Sequence, residues 1–183
     1  NSNTIFASTR FGNVLGSNGS VVEVFKNQIS EGKPLTLTSH EMTRFVMSIK
    51  TAAILVLESG LVAKGGEVFV TKMPTLRITD LAEVMIRNLS KILDHQIIVT
   101  GIKEGEKLYE ELVSDDEVSR TFDNGKYFVI KPPFNQLNNE NSSDYSQMFK
   151  NFKNKINKTY VSSRETKMTH DEILKLLTET KII

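Results

Sequence analysis

Strand-like and helix-like segments alternate along most of this chain, and this alternation limits the fold more than any other feature. Short β-branched segments predict strands at residues 4–10, 35–38, 67–70, 95–100 and 127–130. Helical spacing of apolar residues predicts helices at residues 21–31, 50–58, 79–89, 105–113 and 169–177. Such alternation is typical of a mostly parallel sheet flanked by helices. We therefore predict an α/β fold. Since no helix precedes the first strand, we expect this chain to contain only part of the sheet.

Several polar residues and glycines are expected to fix where the helices begin and end. Ser20 with Glu23, and Thr169 with Glu172, have the spacing of a capping box. Thr79 is predicted to cap a further helix. Glycines are expected to end two helices, at Gly32 and Gly60.

Charge and composition exclude several classes of protein. The 183 residues contain 23 Lys+Arg and 22 Asp+Glu, so the net charge of +1 does not provide the broad positive field of a dedicated nucleic-acid binder. The absence of Cys excludes disulfides, iron–sulfur clusters and thiolate zinc sites, and it favours a cytoplasmic location. No run of about 18 apolar residues predicts a membrane span. The first residues resemble the start of a strand and predict a piece of a longer chain.

A change in composition after residue 134 predicts two parts. Residues 1–134 carry the α/β pattern, whereas residues 135–144 are rich in Asn and Ser and predict a linker. Residues 135–183 are therefore interpreted as a polar linker followed by a C-terminal helix. The apolar face of that helix, with Ile173, Leu176 and Leu177, is expected to dock on the body or on another subunit.

A glycine-rich turn between the first strand and the first helix is the first candidate site. Glycines allow the backbone to approach a ligand closely, and the amides that begin a helix carry partial positive charge suited to phosphate. The turn occupies residues 12–19, and the helix begins at Ser20 and Val21. A plain strand-to-helix turn explains the same pattern, so both interpretations stay open here.

Two further positions could contact an anion. Arg44 precedes an apolar run, where its planar guanidinium can pair with phosphate or with an internal carboxylate such as Asp80. Residues 103–107 form a charged turn after a predicted strand, the place where α/β proteins position ligand contacts. A solvated loop is the alternative for this turn.

Tyr127 and Lys131 match the Tyr-x-x-x-Lys spacing of a catalytic pair that functions on a helix. Here the segment is β-branched and aromatic, and four residues of a strand span roughly 13 Å, too far for the lysine to act on the tyrosine hydroxyl. We reject this pair as catalytic. The three histidines, His40, His95 and His170, lie too far apart in the sequence for the spacing of metal ligands. We expect each to be structural or exposed.

Several motifs, taken in order, resemble one known family. Residues 10–21, 42–45, 66–70, 78–82 and 101–108 resemble the C-terminal half of the extended short-chain dehydrogenase/reductases that act on UDP-sugars. The polysaccharide-biosynthesis group, with its UDP-N-acetylglucosamine 4,6-dehydratases (inverting) and related epimerases, is the most similar. The resemblance implies the C-terminal portion of a Rossmann-like fold, namely a partial parallel sheet with a substrate-binding subdomain.

The resemblance also implies roles for individual residues. Asn13 and Arg44 would contact the diphosphate of the UDP-sugar, and Gly12 would lie against the cofactor, NADP. Ser20 and Val21 would lie beside the nucleotide. In the charged turn Lys103 would meet phosphate and Glu106 the ribose hydroxyls, although Lys103 replaces the usual Arg. The NADP-binding loop and the catalytic Tyr/Lys helix of the family do not occur in this sequence, so no catalytic residue is assigned and the chain alone is expected to be inactive.

The implied activity is that of an NADP-dependent 4,6-dehydratase (a lyase) in surface polysaccharide biosynthesis, for which this chain supplies UDP-sugar binding. A UDP-sugar 4-epimerase of the same family is an alternative. A non-catalytic domain that binds a nucleotide or a partner is a second alternative. We expect a cytoplasmic homo-oligomer that binds neither nucleic acid nor membrane.

Overall fold

The computed structural model describes residues 4–17, 19–133 and 154–183. In chain order these residues form β1 (Ser8–Arg10), β2 (Asn13–Val14), α1 (Val21–Ser30), β3 (Leu35–Leu37), β4 (Thr43–Met47), α2 (Ile49–Val62), β5 (Val68–Thr71), β6 (Thr75–Arg77), α3 (Ile78–Leu89), β7 (Ile97–Val99), β8 (Glu111–Val113), α4 (Asp115–Val118), β9 (Thr121–Asp123), β10 (Tyr127–Ile130), β11 (Asn154–Lys155), β12 (Tyr160–Val161) and α5 (His170–Glu179). No helix among them is long and apolar enough to cross a bilayer.

The chain folds into two compact units, each made from three stretches of sequence. Unit 1 comprises Asn1–Phe11, Lys50–Lys72 and Glu111–Tyr160. Unit 2 comprises Gly12–Ile49, Met73–Glu110 and Val161–Ile183. The two units therefore interleave along the sequence.

Unit 1 is built on a five-stranded sheet in the order β1-β5-β10-β9-β11. The β1–β5 pairing is parallel and the other three pairings are antiparallel. Leu55 of α2 packs on the sheet against Phe69, Tyr127 and Val129, all of them buried. The rings of Phe69 and Tyr127 meet edge to face at 5.7 Å, a geometry that favours aromatic pairs.

Unit 2 has three helices around its core and two small sheets. The sheet β2-β4-β6 pairs β2 with β4 in parallel and β4 with β6 antiparallel, and β3 pairs in parallel with β7. Helix α3 packs against both α1 and α5. Their apolar faces form one core, to which the helices contribute Val22, Phe25, Ile29, Leu81, Met85, Ile173 and Leu177. The C-terminal helix was expected to dock either on the body or on another subunit, and its apolar face packs on the body.

The α/β class is confirmed, although the pairing is mixed rather than mostly parallel. The strand at residues 127–130 is confirmed, and so is the Thr169–Glu172 capping box. The helix predicted at residues 105–113 is wrong: Gly105 adopts a φ of +79° in a turn, and residues 111–113 form β8. The predicted linker at residues 135–144 lies outside the described residues.

Two predicted helix boundaries and one predicted capping box are also wrong, although α1 does begin after Ser20 as expected. Ser20 makes no side-chain cap bond, and Glu23 instead accepts a hydrogen bond from the Gly19 amide at 2.7 Å. Thr79 lies inside the first turn of α3, which begins at Ile78. Gly60 lies within α2, which continues to Val62 because glycine weakens a helix without ending it.

Replacing Glu117 with glutamine is expected to destabilise the protein in a pH-dependent way. Burial of Glu117 acts to raise its pKa, but hydrogen bonds from Arg10 and Ser114 outweigh burial and hold the pKa below its ordinary value. A depressed folded-state pKa gives stability that is present above the unfolded pKa of about 4.3 and is lost as the pH falls through the folded pKa. At pH 7 we expect Glu117→Gln to lower the free energy of unfolding by about 1–2 kcal/mol. This value allows for solvent screening of the ion pair, because Arg10 is partly exposed.

Urea unfolding at pH 7 and at pH 3 tests this expectation. The difference in the free energy of unfolding between wild type and Glu117→Gln should narrow at pH 3, which lies below the unfolded-state pKa, because the stability gained from a depressed carboxyl pKa declines below that point. Asp116→Asn removes an exposed carboxylate from the same helix, α4, and is the matched control. An equal loss of stability at both pH values would contradict the assigned ion pair.

Candidate functional site

A cavity of about 200 Å³ lies within unit 2, between the glycine-rich turn, β4 and α3. Backbone and side chains from all three elements line it: Asn13, Val14, Leu15, Ser17, Gly19, Ser20, Val21, Arg44, Val46, Ile78 and Leu81. Polar groups lie mainly on the turn and at Arg44, and apolar groups lie on the other walls. A pocket with apolar walls and a few polar groups is the usual form of a small-molecule site.

The glycine-rich turn is shaped by pairing at its start and by left-handed backbone further on. Asn13 is paired in parallel with Val46, and the Leu15 amide donates to the carbonyl of Met47 at 2.9 Å. Gly16 and Gly19 both have a φ of +74°, a conformation that glycine adopts without strain. The chain therefore turns sharply from β2 into α1 and brings the start of that helix to the cavity.

The start of α1 leaves polar groups at the cavity wall. The Oγ atom of Ser20 is buried and has no hydrogen-bond partner within the described residues. The first amides of a helix have no partner inside the helix, and here they belong to Val21 and Val22, since the Glu23 amide donates to the carbonyl of Ser20 at 3.0 Å. A buried hydroxyl and helix-start amides on one wall can bind an anion.

Arg44 of β4 supplies the cationic side chain of the cavity. Its side chain is only 13% exposed, and its Nε atom lies 3.9 Å from Oε1 of Glu110. Nη1 donates to the carbonyls of Thr43 at 2.8 Å and Leu108 at 3.3 Å, and Nη2 donates to the carbonyl of Lys107 at 2.7 Å. The guanidinium is thus held in place by backbone carbonyls and lies near Glu110, and Arg44 is one of the residues that line the cavity.

Glu110 is a partner of Arg44 that the sequence interpretation missed. Its Oε2 accepts a hydrogen bond from the Phe45 amide at 3.3 Å. Burial raises the pKa of Glu110 above its ordinary value, opposed by the Phe45 amide and by the charges of Arg44 and Lys107. The available signal was the spacing of Leu108, Glu110 and Leu112. Residues two apart in a strand lie on the same face, so Glu110 shares its face with two leucines.

The charged turn lies outside the lining of the cavity. Glu106 accepts a hydrogen bond from the Thr38 hydroxyl at 2.7 Å, and its other carboxylate oxygen lies 3.5 Å from the Lys103 amide. Lys103 is exposed. Arg44 donates to the carbonyls of the two residues that follow Glu106, so the turn is tethered to the guanidinium that lines the cavity.

Gly12 does not line the cavity, and its lack of a side chain has a packing explanation. A Cβ atom at this position would lie 2.5 Å from both the Cβ atom and the carbonyl oxygen of Phe45. Its amide lies 3.4 Å from the Met73 sulfur, to which it donates. The structure therefore brings Asn13, Ser20, Val21 and Arg44 to one cavity, and places Gly12, Lys103 and Glu106 elsewhere in unit 2.

The histidines and the Tyr-x-x-x-Lys pair have local roles. His95 contacts Ser90 through Nδ1 and the carbonyl of Lys33 through Nε2, both at 2.8 Å. No group of three or more metal-ligating side chains occurs in the part of the chain that the structure describes. Tyr127 is buried on the central strand β10, so the prediction that this pair is not helical is confirmed.

Replacing Tyr127 with phenylalanine is expected to leave unchanged the affinity for the UDP-sugar that the resemblance implies. Burial raises the pKa of the Tyr127 hydroxyl, which disfavours the phenolate that acid–base chemistry would need. The ring packs in the core of unit 1, and phenylalanine preserves that packing. Calorimetric titration with UDP-N-acetylglucosamine measures the affinity, and a loss of threefold or more would contradict this assignment.

Comparison with known proteins gives the chain a family and several relatives. The family profile described as polysaccharide biosynthesis protein matches residues 1–132. An uncharacterized membrane protein of Methanocaldococcus jannaschii, MJ1061, is 44% identical over 83% of this chain and 47% of its own length. A UDP-N-acetylglucosamine 4,6-dehydratase (inverting) of Campylobacter jejuni is 43% identical over 77% of this chain and 41% of its own length.

Two further comparisons concern an epimerase and a solved structure. A UDP-glucose 4-epimerase of Rickettsia bellii is 36% identical over 95% of this chain and 49% of its own length. The X-ray structure of Pen from Bacillus thuringiensis matches the whole chain and 52% of its own, with 36% identity and a TM-score of 0.85. The chain thus spans about half the length of each of these four proteins.

Proposed function

Because the chain belongs to the polysaccharide biosynthesis protein family, whose relatives include nucleotide-sugar dehydratases and epimerases, we propose that it binds the UDP portion of a nucleotide sugar. Arg44 is the observation that carries this proposal. An arginine in the lining of a cavity that the start of α1 also lines is a suitable arrangement for a diphosphate.

Within this proposal Arg44 and Asn13 contact the diphosphate, and Ser20 and Val21 lie beside the nucleotide. The orphaned Ser20 hydroxyl supports its role, since a buried hydroxyl without a partner is costly unless a ligand satisfies it. Lys103 and Glu106 lie outside the lining of the cavity, so the phosphate and ribose groups that they would contact extend beyond it. Lys103 is exposed and free to meet solvent, whereas Glu106 would have to exchange its bond with Thr38 for a ribose hydroxyl.

The size of the cavity limits how much of the ligand it holds. Ligand pockets usually measure about 300–1,000 Å³, whereas this one measures about 200 Å³. It suits the diphosphate and its immediate surroundings rather than a whole nucleotide sugar. The remainder of the ligand would then contact surfaces outside this cavity.

Gly12 is the one residue for which contact with NADP was expected, and its surroundings do not support that contact. Phe45 occupies the space beside the α-carbon of Gly12, and Gly12 does not line the cavity. We therefore propose that residues 1–134 supply the substrate-binding half of the enzyme. The nicotinamide cofactor would be held by polypeptide of the kind that the longer relatives carry in addition. Residues 135–183 would complete unit 2 through α5.

For the whole enzyme we propose a UDP-N-acetylhexosamine 4,6-dehydratase in surface polysaccharide biosynthesis, acting in the cytoplasm as a homo-oligomer with NADP. The Campylobacter jejuni dehydratase supports this reaction through its 43% identity. A UDP-sugar 4-epimerase is the second candidate, since the Rickettsia bellii epimerase matches a larger share of the chain. Incubation of the longer enzyme with UDP-N-acetylglucosamine distinguishes them: a dehydrated keto sugar indicates the dehydratase, and UDP-N-acetylgalactosamine indicates the epimerase.

Calorimetric titration of this chain with UDP and then with NADP⁺ tests the binding proposal. We expect UDP to bind and NADP⁺ not to bind, because the cavity offers phosphate contacts and Phe45 fills the space beside Gly12, the one expected cofactor contact. Binding of NADP⁺ alone would contradict the assignment of the cavity.

A further inference from the structure

A second cavity, of about 500 Å³, lies within unit 2 at the other end of α1 from the first one. The start of α1 lines the first cavity, whereas its last two residues, Ile29 and Ser30, line the second. Helix α3 likewise lines the first cavity with Ile78 and the second with Leu89. The ten residues of α1 span about 15 Å, so the two cavities are separate. The volume of the second is within the usual range of ligand pockets, about 300–1,000 Å³.

The apolar walls of the second cavity are aliphatic. Ile29 and Ile182 are buried, and Leu89 and Ile92 complete the apolar lining. The hydroxyl group of Ser30 donates to a backbone carbonyl one turn earlier in α1 at 2.9 Å, so it is already satisfied. No aromatic ring occurs among the described residues that line this cavity, and a nucleobase would therefore find no stacking partner. The walls suit an aliphatic chain.

Two lysines supply the only charges in this lining, Lys26 of α1 and Lys91 just after α3. Within the described part of the chain, neither side chain forms an ion pair or a hydrogen bond. Lys26 is half-buried, where an ammonium group without an anion loses part of its hydration. Glu31, which follows α1, is already paired with Lys33 at 2.6 Å. The cavity thus combines aliphatic walls with positive charge that no described carboxylate neutralises.

The ends of the helices do not account for these lysines. The last carbonyls of a helix carry partial negative charge that a lysine in the last turn can offset. The last turn of α1 contains no basic residue, since Lys26 precedes it. The carbonyls of Asn27, Gln28 and Ile29 instead accept hydrogen bonds from amides of the three residues after the helix, at 3.0, 2.9 and 3.1 Å. The lysines are therefore not required to cap α1, and their charge remains available to a ligand.

We propose that this cavity is a second ligand site, which binds an amphiphilic anion with a single aliphatic chain. The chain lies against the three isoleucines and Leu89, where apolar surface is removed from water. The anionic head meets Lys26 and Lys91, since hydrogen bonds between ionised groups are the strong ones. The ligand is one molecule in a cavity, and a bilayer surface would instead contact the fully exposed Leu93, which does not line the cavity.

Calorimetric titration of the whole 183-residue chain with octyl phosphate, kept below its micellar concentration, tests this site. We expect octyl phosphate to bind at least about tenfold more tightly than inorganic phosphate or 1-octanol, because each of these carries only one part of the ligand. Saturation with UDP should leave the Kd of octyl phosphate unchanged, since the first cavity is separate.

Two pairs of variants locate the bound molecule. Ile92→Asp adds a carboxylate to the lining and should weaken binding by about tenfold or more, whereas Leu93→Asp makes the same change outside the lining and should have an effect below about threefold. Both positions are exposed, so both variants should melt like wild type. Lys26→Gln/Lys91→Gln should also weaken binding by about tenfold or more, and Lys175→Gln, at an exposed position of α5, is its control for the loss of one charge.

Several results would overturn the proposal. Equal losses in Ile92→Asp and Leu93→Asp would show that the exposed loop takes up the aliphatic chain without the cavity, as a membrane-binding surface does. Inorganic phosphate or 1-octanol binding as tightly as octyl phosphate would show that only one half of the site exists. Displacement by UDP would place octyl phosphate in the first cavity, and no binding at all would leave the second without its ligand. If Ile92→Asp did not fold, the lysine variants would decide, and none of the variants alters a residue proposed for UDP.

Discussion

Replacing Arg44 with alanine is expected to weaken binding of UDP-N-acetylglucosamine by about 10- to 100-fold. Hydrogen bonds to charged groups contribute about 1.5–3 kcal/mol each, and about 1.4 kcal/mol corresponds to a tenfold change in Kd. Arg44 is the one cationic side chain in the lining of the cavity. Calorimetric titration of wild type and variant measures the change in Kd directly.

Two further variants separate the role of Arg44 in binding from its role in folding. Its guanidinium also holds the carbonyls of Lys107 and Leu108, so Arg44→Ala should lower the melting temperature as well. Arg77→Ala removes the same charge from unit 2 at an exposed site outside the cavity and should leave the Kd unchanged. Arg44→Lys keeps the charge but loses the planar geometry, so it should restore part of the affinity.

Unchanged affinity in Arg44→Ala would show that the cavity is not the diphosphate site. Equal losses in Arg44→Ala and Arg77→Ala would show a general effect of charge instead of a contact. A variant that melts cooperatively, but binds weakly, is the result that the proposal requires.

The site was predictable where local sequence determines local structure. Gly16 and Gly19 adopt left-handed backbone, and α1 begins at Val21, so the turn and helix follow from residue types alone. The prediction that Arg44 lies at the start of a buried segment also agrees with β4, of which Phe45, Val46 and Met47 are buried. What the sequence left open was its partner: the suggested carboxylate was Asp80, but Asp80 pairs with Arg77 and Glu110 lies beside Arg44.

The fold was less predictable where contacts between residues distant in sequence determine the local structure. Residues 111–113 were expected to be helical, but β8 forms there, and Leu112 and Val113 are buried. Tertiary burial overrides intrinsic propensity in such short segments. Likewise the chain alternates between two units, and no local pattern reveals that stretches far apart in sequence share one core.

Replacing Gly12 with alanine is expected to destabilise the protein by about 3 kcal/mol or more. Overpacking a filled site costs about 1–3 kcal/mol and sometimes more. Here the added Cβ would lie 2.5 Å from the carbonyl oxygen and Cβ atom of Phe45, a residue of β4 that is fully buried. Neither atom belongs to the flexible end of a side chain, so relief requires a shift of the strand itself.

Gly60→Ala provides a control with the opposite sign. A Cβ at Gly60 would meet nothing within 4 Å, and the residue lies inside α2, where alanine is favoured over glycine by roughly 1 kcal/mol. Urea unfolding should therefore show a lower midpoint for Gly12→Ala and a slightly higher one for Gly60→Ala. If Gly12→Ala were as stable as wild type but lost affinity for NADP⁺ in the longer enzyme, the glycine would serve cofactor contact rather than packing. Loss of stability in the isolated chain, which needs no cofactor for this measurement, would instead establish that the close packing of residue 12 against β4 requires a glycine.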